Sequence, residues 1–301
     1  MPIVRGQWAE NLAPALVPMT VRGYDEMPEQ YSRIMKVLTD TSAWVDDRPV
    51  DPTFGPLQPK GELETTLLDE PVKMPGKRIV HGTFALGYLI SREAVADDKV
   101  GLFAQLAPGL GRSAKMTAEL YGHDVLNNAF SSTKYTGRDG LALLATNHPL
   151  YGPSGGTAAN RPSVDTDISQ SALEAALTAY RRQVDERGYP IMSVPRILLI
   201  TPEQEFIVKR LLESPLEAGS NTNNLNVLKD RGLTVVIDDW LTDPDAWFLL
   251  GARADLRFYW RQRMETYTWD DLNAGGTFHK VDQRHSTGFG DWRESYGSPG
   301  A

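Results

Sequence analysis

The sequence predicts an α+β protein, and three observations predict it. Apolar residues recur at steps of three and four through Val100, Phe103, Ala107, Leu110, Ala114, Ala118, Tyr121, Val125 and Ala129, the period of one long helix. Residues 78–90 alternate instead, with Val80, Phe84, Leu86, Tyr88 and Ile90 on one face and His81, Thr83, Ala85 and Gly87 on the other, the period of a strand. Residues 196–251 then read as strand, helix, strand and strand in RILLIT, PEQEFIVKRLL, LTVVID and AWFLLG.

From the first residue, Pro2, Pro14 and Pro18 predict an extended arm over residues 1–24 that needs another surface to lie on, followed by a helix over 24–38. Six prolines between residues 45 and 77 exclude a compact core element. Inside that stretch residues 61–68 read as a strand, 69–77 as a Pro/Gly-rich tip and 78–90 as the returning strand. An isolated hairpin is marginal in water, so this projection is expected to lie on a partner. Ser91 then caps a short turn with Arg92 and Glu93, and the long helix follows. Thirty helical residues reach about 45 Å, with Pro108 and Gly109 kinking one end.

Residues 131–166 are rich in Gly, Pro and Asn and read as loops. A helix over 169–187 buries Leu173, Ala176, Leu177, Tyr180 and Val184 and is stopped by Gly188 and Pro190. The strand over 196–201 hands over to a helix through Thr201 as cap, Pro202 and Gln204 in a capping-box start, ending near Ser214 and Pro215. Strands are expected at 233–238, 246–251 and 257–263, and one or two more within 277–296.

Composition limits the function. The 301 residues, 41% of them hydrophobic, suffice for one large or two modest domains. A net charge of −8 has the wrong sign for gripping nucleic acid by its phosphates. The chain has no cysteine, which excludes disulfides, thiol nucleophiles and thiolate zinc sites. Glu10, Pro14 and Pro18 break what would have to be a signal core. Glycines and prolines break the longest uncharged run, residues 140–160, so no membrane segment is expected.

Motifs for chemistry are sparse. HExxH, the Walker loop, GxSxG and GxGxxG are absent. YGPSGG, from Tyr151, lacks the strand, helix and lysine of a phosphate loop. His279, Asp282 and His285 could suggest a metal site, but in an extended strand the histidines stand about 20 Å apart, so they read as solvent-facing strand residues. Asp238, Asp239, Asp243 and Asp245 read as a solvated turn, and His148 as a loop histidine bonded to backbone. In RFYWRQR, Arg257, Tyr259, Arg261 and Arg263 share one strand face and Phe258, Trp260 and Met264 the other. In an acidic chain that basic face is expected to meet the carboxylates of a neighbouring subunit. No catalytic, cofactor or metal residue is predicted.

The segments LISREAVADD before the long helix, LLATNHPL with YGPSGGTAAN, PRILLITPEQEFIVKRLL with AGSNTNN, TVVIDDWLTDPDAWFLLG and the closing GFGDWRESYGS fall in a definite order over most of residues 60–301. That order resembles the major capsid proteins of tailed phages, the Johnson or Hong Kong ninety-seven fold, in particular the Mu-like major head subunit. The resemblance implies a structural, non-enzymatic chain that assembles with itself into pentamers and hexamers of an icosahedral shell enclosing double-stranded DNA. It implies an N-terminal arm over 1–45, an extended loop over 46–90, a peripheral domain over 91–188 and 264–301, and an axial domain over 189–263. The loop carrying Asn221, Asn223 and Asn224 would point to the capsomer centre. Lys60, Lys73 and Lys77 would be the extended-loop lysines available for a covalent link to a neighbour's asparagine, for which the region after the axial domain offers only Asn273, and Glu62 and Glu64 would hold the proton on Lys60. The expected shell is nevertheless non-covalent. With no long charged coiled coil before the arm, the resemblance implies a separate scaffolding protein, together with a portal and, optionally, a decoration protein. It also implies assembly in the host cytoplasm and residence in the virion, and with Met1 as the first residue an untrimmed N-terminus is expected. Two rivals are an encapsulin-type shell around a cargo enzyme and a soluble α/β hydrolase using His148 with Asp139.

Overall fold

The computed structural model describes residues 8–39, 45–48, 53–72, 74–97, 105–153, 155–215, 225–271 and 275–301. In chain order the regular elements are α1 (Trp8–Asp25), β1 (Lys36–Leu38), β2 (Val45–Arg48), β3 (Lys77–Val80), β4 (Gly82–Ser91), α2 (Arg92–Asp97) and α3 (Leu106–Asn127). They continue as β5 (His148–Pro149), β6 (Thr157–Ala158), α4 (Gln170–Arg181), β7 (Pro195–Ile200), α5 (Glu205–Glu213), β8 (Thr234–Ile237), β9 (Trp247–Gly251), β10 (Leu256–Asp271), β11 (Gly276–Phe289) and β12 (Ser295–Ser298). The class is α+β. The chain divides into two compact units, one of Met1–Asp46, Ile79–His123 and Arg257–Thr287, the other of Asp47–Arg78, Asp124–Leu256 and Gly288–Ala301.

The first unit is built on the sheet β1-β10-β11-β4. β1 runs parallel to β10, pairing Val37 with Phe258, and β11 runs antiparallel to β4 from Gly276 opposite Ser91 to His285 opposite Gly82. Helix α3 lies on this sheet, with Gly122 against Tyr31 and Phe258 and the Ala114 carbonyl accepting the Gln283 side chain. The first residues depart from the sequence expectation. Residues 8–25 form a helix despite Pro14 and Pro18, and residues 24–38 hold a single turn of 3-10 helix and β1 instead of a helix. Tertiary packing is the reason. Leu16, Thr20 and Gly23 form a buried i, i+4, i+7 stripe. A Cβ on Gly23 would stand 2.1 Å from the Pro108 oxygen, and one on Gly111 2.0 Å from the Thr20 oxygen, so α1 and α3 meet backbone to backbone. Burial at that crossing outweighs the missing amides of two prolines.

Ser91 caps the short α2 as expected, its hydroxyl accepting the Ala94 amide at 3.3 Å. Val100 and Phe103 lie outside the described residues. In α3, Ala107, Leu110, Ala118 and Val125 are buried. Pro108 sits in its first turn, where the missing amide has no intrahelical partner to lose, and the helix runs from Leu106 to Asn127 without interruption.

The second unit is built on the sheet β12-β9-β7-β8, in which β7 and β8 are parallel and the other pairs antiparallel. One face meets α4 and α5, where Leu173, Ala176, Tyr180 and Val208 pack with Leu198, Ile200, Trp247, Leu249 and Tyr296. On the other, Phe248 stacks on Phe130 at 5.6 Å. Both faces are covered, so all of Trp247–Gly251 is buried. Ser169 caps α4, which ends at Arg181, earlier than expected, because residues 182–190 close a turn through a Val184 to Pro190 bridge. Thr201 occupies the cap position before Pro202, but its hydroxyl donates to the Pro244 carbonyl at 2.7 Å and leaves the capping box unmade.

Candidate functional site

The expected strand over residues 61–68 is absent. Residues 54–71 run without regular structure apart from a turn, closed at the base by a bridge between Thr53 and Val72. Period-two alternation is missing there because acids, prolines and leucines interleave without a pattern that pairs. The base is fastened instead by side chains. Asp69 accepts the Gly55 amide at 2.8 Å and pairs with Arg187 at 2.9 Å, while Arg187 also donates to the Glu70 carbonyl at 2.7 Å. Above this clamp Leu57, Leu63, Leu67 and Leu68 are almost wholly in solvent. Four leucines on one tethered loop form an apolar surface of the sort that marks a binding site. Sequence reading assigned this stretch to a projection but did not single out its leucines.

Lys77 begins β3, half-buried, and donates to the Thr136 hydroxyl at 3.0 Å. Burial lowers its amine below the ordinary lysine value, and the Asp139 carboxylate opposes that shift. Lys73, Asn221, Asn223, Asn224 and Asn273 lie outside the described residues, as does Ser154 of the glycine-rich segment.

The basic strand differs from its expected form. Phe258, Tyr259 and Trp260 are all buried, so the face that Tyr259 shares with Arg257 is covered at this end and not open to solvent. The cause is that β1 pairs with this end of β10 while rings close over both faces. Tyr31 stacks on Phe258 at 4.4 Å, and His81 meets the edge of Tyr259 at 6.3 Å. Arg257 is half-buried and donates to the Tyr259 hydroxyl at 3.3 Å, Arg261 is half-buried, and exposed Arg263 places its guanidinium 5.4 Å from the Trp260 ring centre. From residue 263 onward the expected alternation holds, with Arg263, Glu265, Tyr267 and Trp269 outward.

The histidines read as surface or loop groups are all in the interior. His279 and His285 are buried on β11, the former between hydroxyls, the latter among Phe84, Phe258, Trp260 and Tyr121 with ring centres 4.4–5.7 Å away. Among the described residues no cluster of histidines and acids could hold a metal ion. The surrounding rings come from positions 25 to 201 residues away, and that is why local alternation missed this burial. His148 is bonded to side chains, not backbone: Nδ1 donates to Asp139 at 2.5 Å, Nε2 lies 3.1 Å from Asn160 Oδ1, and the ring stacks on Trp292 at 4.3 Å. Burial would raise the Asp139 carboxyl, but bonds from His148 and the Leu141 amide hold it below the ordinary value. Both ring nitrogens of His148 are thus engaged in structural bonds and neither faces a nucleophile, which argues against the hydrolase reading. In the aspartate turn, Asp238 accepts the Trp240 amide at 2.9 Å and Asp243 the Asp245 amide at 3.2 Å, the capping role expected of them, but Asp238 is buried and not solvated as expected. No helix among the described residues is long and apolar enough to cross a membrane.

The exposed leucine loop of the second unit and the arginines of the first are each suited to contact. Comparison with known proteins points the same way. The family model of phage capsid proteins matches residues 77–296. The chain belongs to the phage capsid protein family. It is 29% identical over 158 residues to the Mu-like prophage FluMu major head subunit of Haemophilus influenzae, a match over 51% of this chain and 47% of that relative. The capsid-family chain thus spans about half the length of the curated relative it matches. Its fold is shared with the capsid of Cyanophage P-SCSP1u, at a TM-score of 0.59 and 12% identity over 90% of this chain and 87% of the other. It is shared also with the procapsid of bacteriophage JBD30, at 0.52 and 14% over 96% and 74%. The family is a structural one, and the α+β capsid fold carries it.

Proposed function

We propose that this capsid-family chain is a major head subunit that assembles with itself into pentamers and hexamers of an icosahedral shell around double-stranded DNA. The family match across residues 77–296 carries this reading. The four exposed leucines above the Arg187 clamp support it, because they gain burial only against another molecule. The domain plan follows: an arm over 1–45, an extended loop over 46–90, a peripheral domain over 91–188 and 264–301, and an axial domain over 189–263. Arg257, Arg261 and Arg263, with Lys73 and Lys77, contribute contacts between subunits, and Asn221, Asn223 and Asn224 stand near the capsomer axis. A separate scaffolding protein, a portal and, optionally, a decoration protein complete the head, which forms in the host cytoplasm and remains as the virion capsid. An encapsulin-type shell is the less favoured reading, since the family match and the head-subunit relative are both of phage type.

Electron microscopy of the purified chain, with sedimentation at increasing concentration, tests this. Capsomers or closed shells are expected. A species that stays monomeric at every concentration and salt would overturn the reading.

A further inference from the structure

The leucine loop ends in a shaped tip. At residues 61–64 the Glu64 amide donates to the Gly61 carbonyl at 3.2 Å and the Glu64 carboxylate accepts the Gly61 amide at 2.7 Å, closing a tight turn. Leu63 is held there at a φ of 64°, the left-handed region that leucine rarely occupies. Its side chain is wholly in solvent, flanked by the exposed Glu62 and Glu64. The turn therefore presents one apolar knob between two carboxylates.

The same unit carries a groove of matching chemistry. It lies between the end of α4, the start of β7 and the segment before β8, with a volume of about 470 Å³. Leu177, Val194, Val227 and Leu233 supply apolar walls, and Arg181, Arg182 and Arg231 stand on the rim. Those arginines are exposed and form no ion pair with another described residue. Glu174 also faces the groove and is bonded to Gln170 at 3.2 Å. An apolar trough rimmed by three guanidinium groups suits a leucine flanked by carboxylates better than a phosphate chain, which would leave the apolar walls unused.

We propose that the Glu62, Leu63 and Glu64 turn of one copy seats in the arginine-rimmed groove of a second copy, with Leu63 against the apolar walls. Such a contact joins two different patches, so it propagates around a ring instead of closing a dimer. The proposal rests on the shell reading above and names the surface that receives the loop.

The test is a charge exchange in the full chain, read by light scattering and sedimentation, with circular dichroism to confirm folding. Glu62→Arg alone and Arg231→Glu alone are each expected to raise the concentration needed for assembly about tenfold, and the two together to recover most of that loss. Leu63→Ser should weaken assembly without changing its salt dependence. Single variants that assemble like the native chain would overturn the contact. So would a double variant no better than the worse single one, which would give the groove to some other ligand, such as a polyanion. A native chain that never assembles would overturn the shell reading itself, an outcome distinct from these.

Discussion

His279 on β11 donates its Nε2 proton to Thr20 on α1, 3.0 Å away. The direction follows from the threonine, whose own hydroxyl hydrogen is committed to the Leu16 carbonyl at 2.9 Å. Nδ1 of the same ring, left without a proton, accepts the Thr268 hydroxyl at 2.7 Å. One neutral tautomer thus ties the first helix to two strands of the sheet.

Acid should loosen that tie. Burial holds His279 below the ordinary histidine value, and burial together with repulsion from His81 brings His285 down to about 4. The unfolded chain takes up these protons near pH 6.5 and the folded chain does not, so stability is full above pH 6.5 and falls as pH drops toward 4. For His285 the difference amounts to about 3 kcal/mol at the acid end. The melting temperature at pH 5 is expected about 5 °C below that at pH 7.5, with a smaller gap in His285→Phe. Equal melting temperatures at the two pH values would refute this.

Glu119 is a buried carboxylate whose two oxygens accept the Gln30 and Tyr31 amides at 3.0 and 3.1 Å. Burial raises its pKa in spite of those bonds. Removing the acceptor in Glu119→Ala strands both amides and should cost about 3 kcal/mol in urea unfolding, and Glu119→Gln less. A loss too small to move the midpoint would show the amides finding other partners.

Gly111→Ala places a methyl group 2.0 Å from the Thr20 oxygen and 2.8 Å from the Tyr24 nitrogen. It should destabilise the first unit by about 2 kcal/mol and expose α1 to limited proteolysis. Gly109→Ala, with nothing within 4 Å, is the control and should behave as native. If the two variants digest alike, the close crossing of α1 and α3 is wrong.

Excising residues 57–68 removes the exposed leucines while sparing the Thr53 to Val72 bridge and the Asp69 to Arg187 clamp. Far-ultraviolet circular dichroism should be unchanged and closed shells lost. Uniform shells from the shortened chain would show that the loop makes no essential contact.

Particles boiled in detergent should run as one band near 33.4 kDa. Lys77 is half-buried and its amine is bonded to the Thr136 hydroxyl, so a covalent link to a neighbour's asparagine would first have to break that bond. A ladder of multimers that vanishes in Lys77→Arg would reverse this expectation.

How far the sequence could be read depended on the range of the forces involved. Strands β7, β8 and β9 and the buried stripe of α4 were legible because local apolar period and burial agree there. Helix α1 was not, since Pro14 and Pro18 argue locally against what Gly23 and Gly111 permit across nearly ninety residues. The same blindness put His279 and His285 at the surface. At the contact surface the protruding loop could be foreseen from its prolines, but not the Leu63 knob, which depends on one turn. The arginine groove escaped notice because its lining comes from three separate segments.

The second unit is not continuous in the chain: residues 257–287, which belong to the first, interrupt it before Ser295–Ser298 returns to pair with β9. During synthesis, β9 is therefore complete while the strand that flanks it has not yet been translated. At about 5 to 20 residues per second the ribosome needs several more seconds to supply β12. Throughout that delay one edge of the sheet has no partner within its own chain, and a nascent subunit is most open to wrong pairing or to a chaperone. Only a chain read through Tyr296 can close the second core, so the order of translation leaves that core incomplete until the last strand emerges.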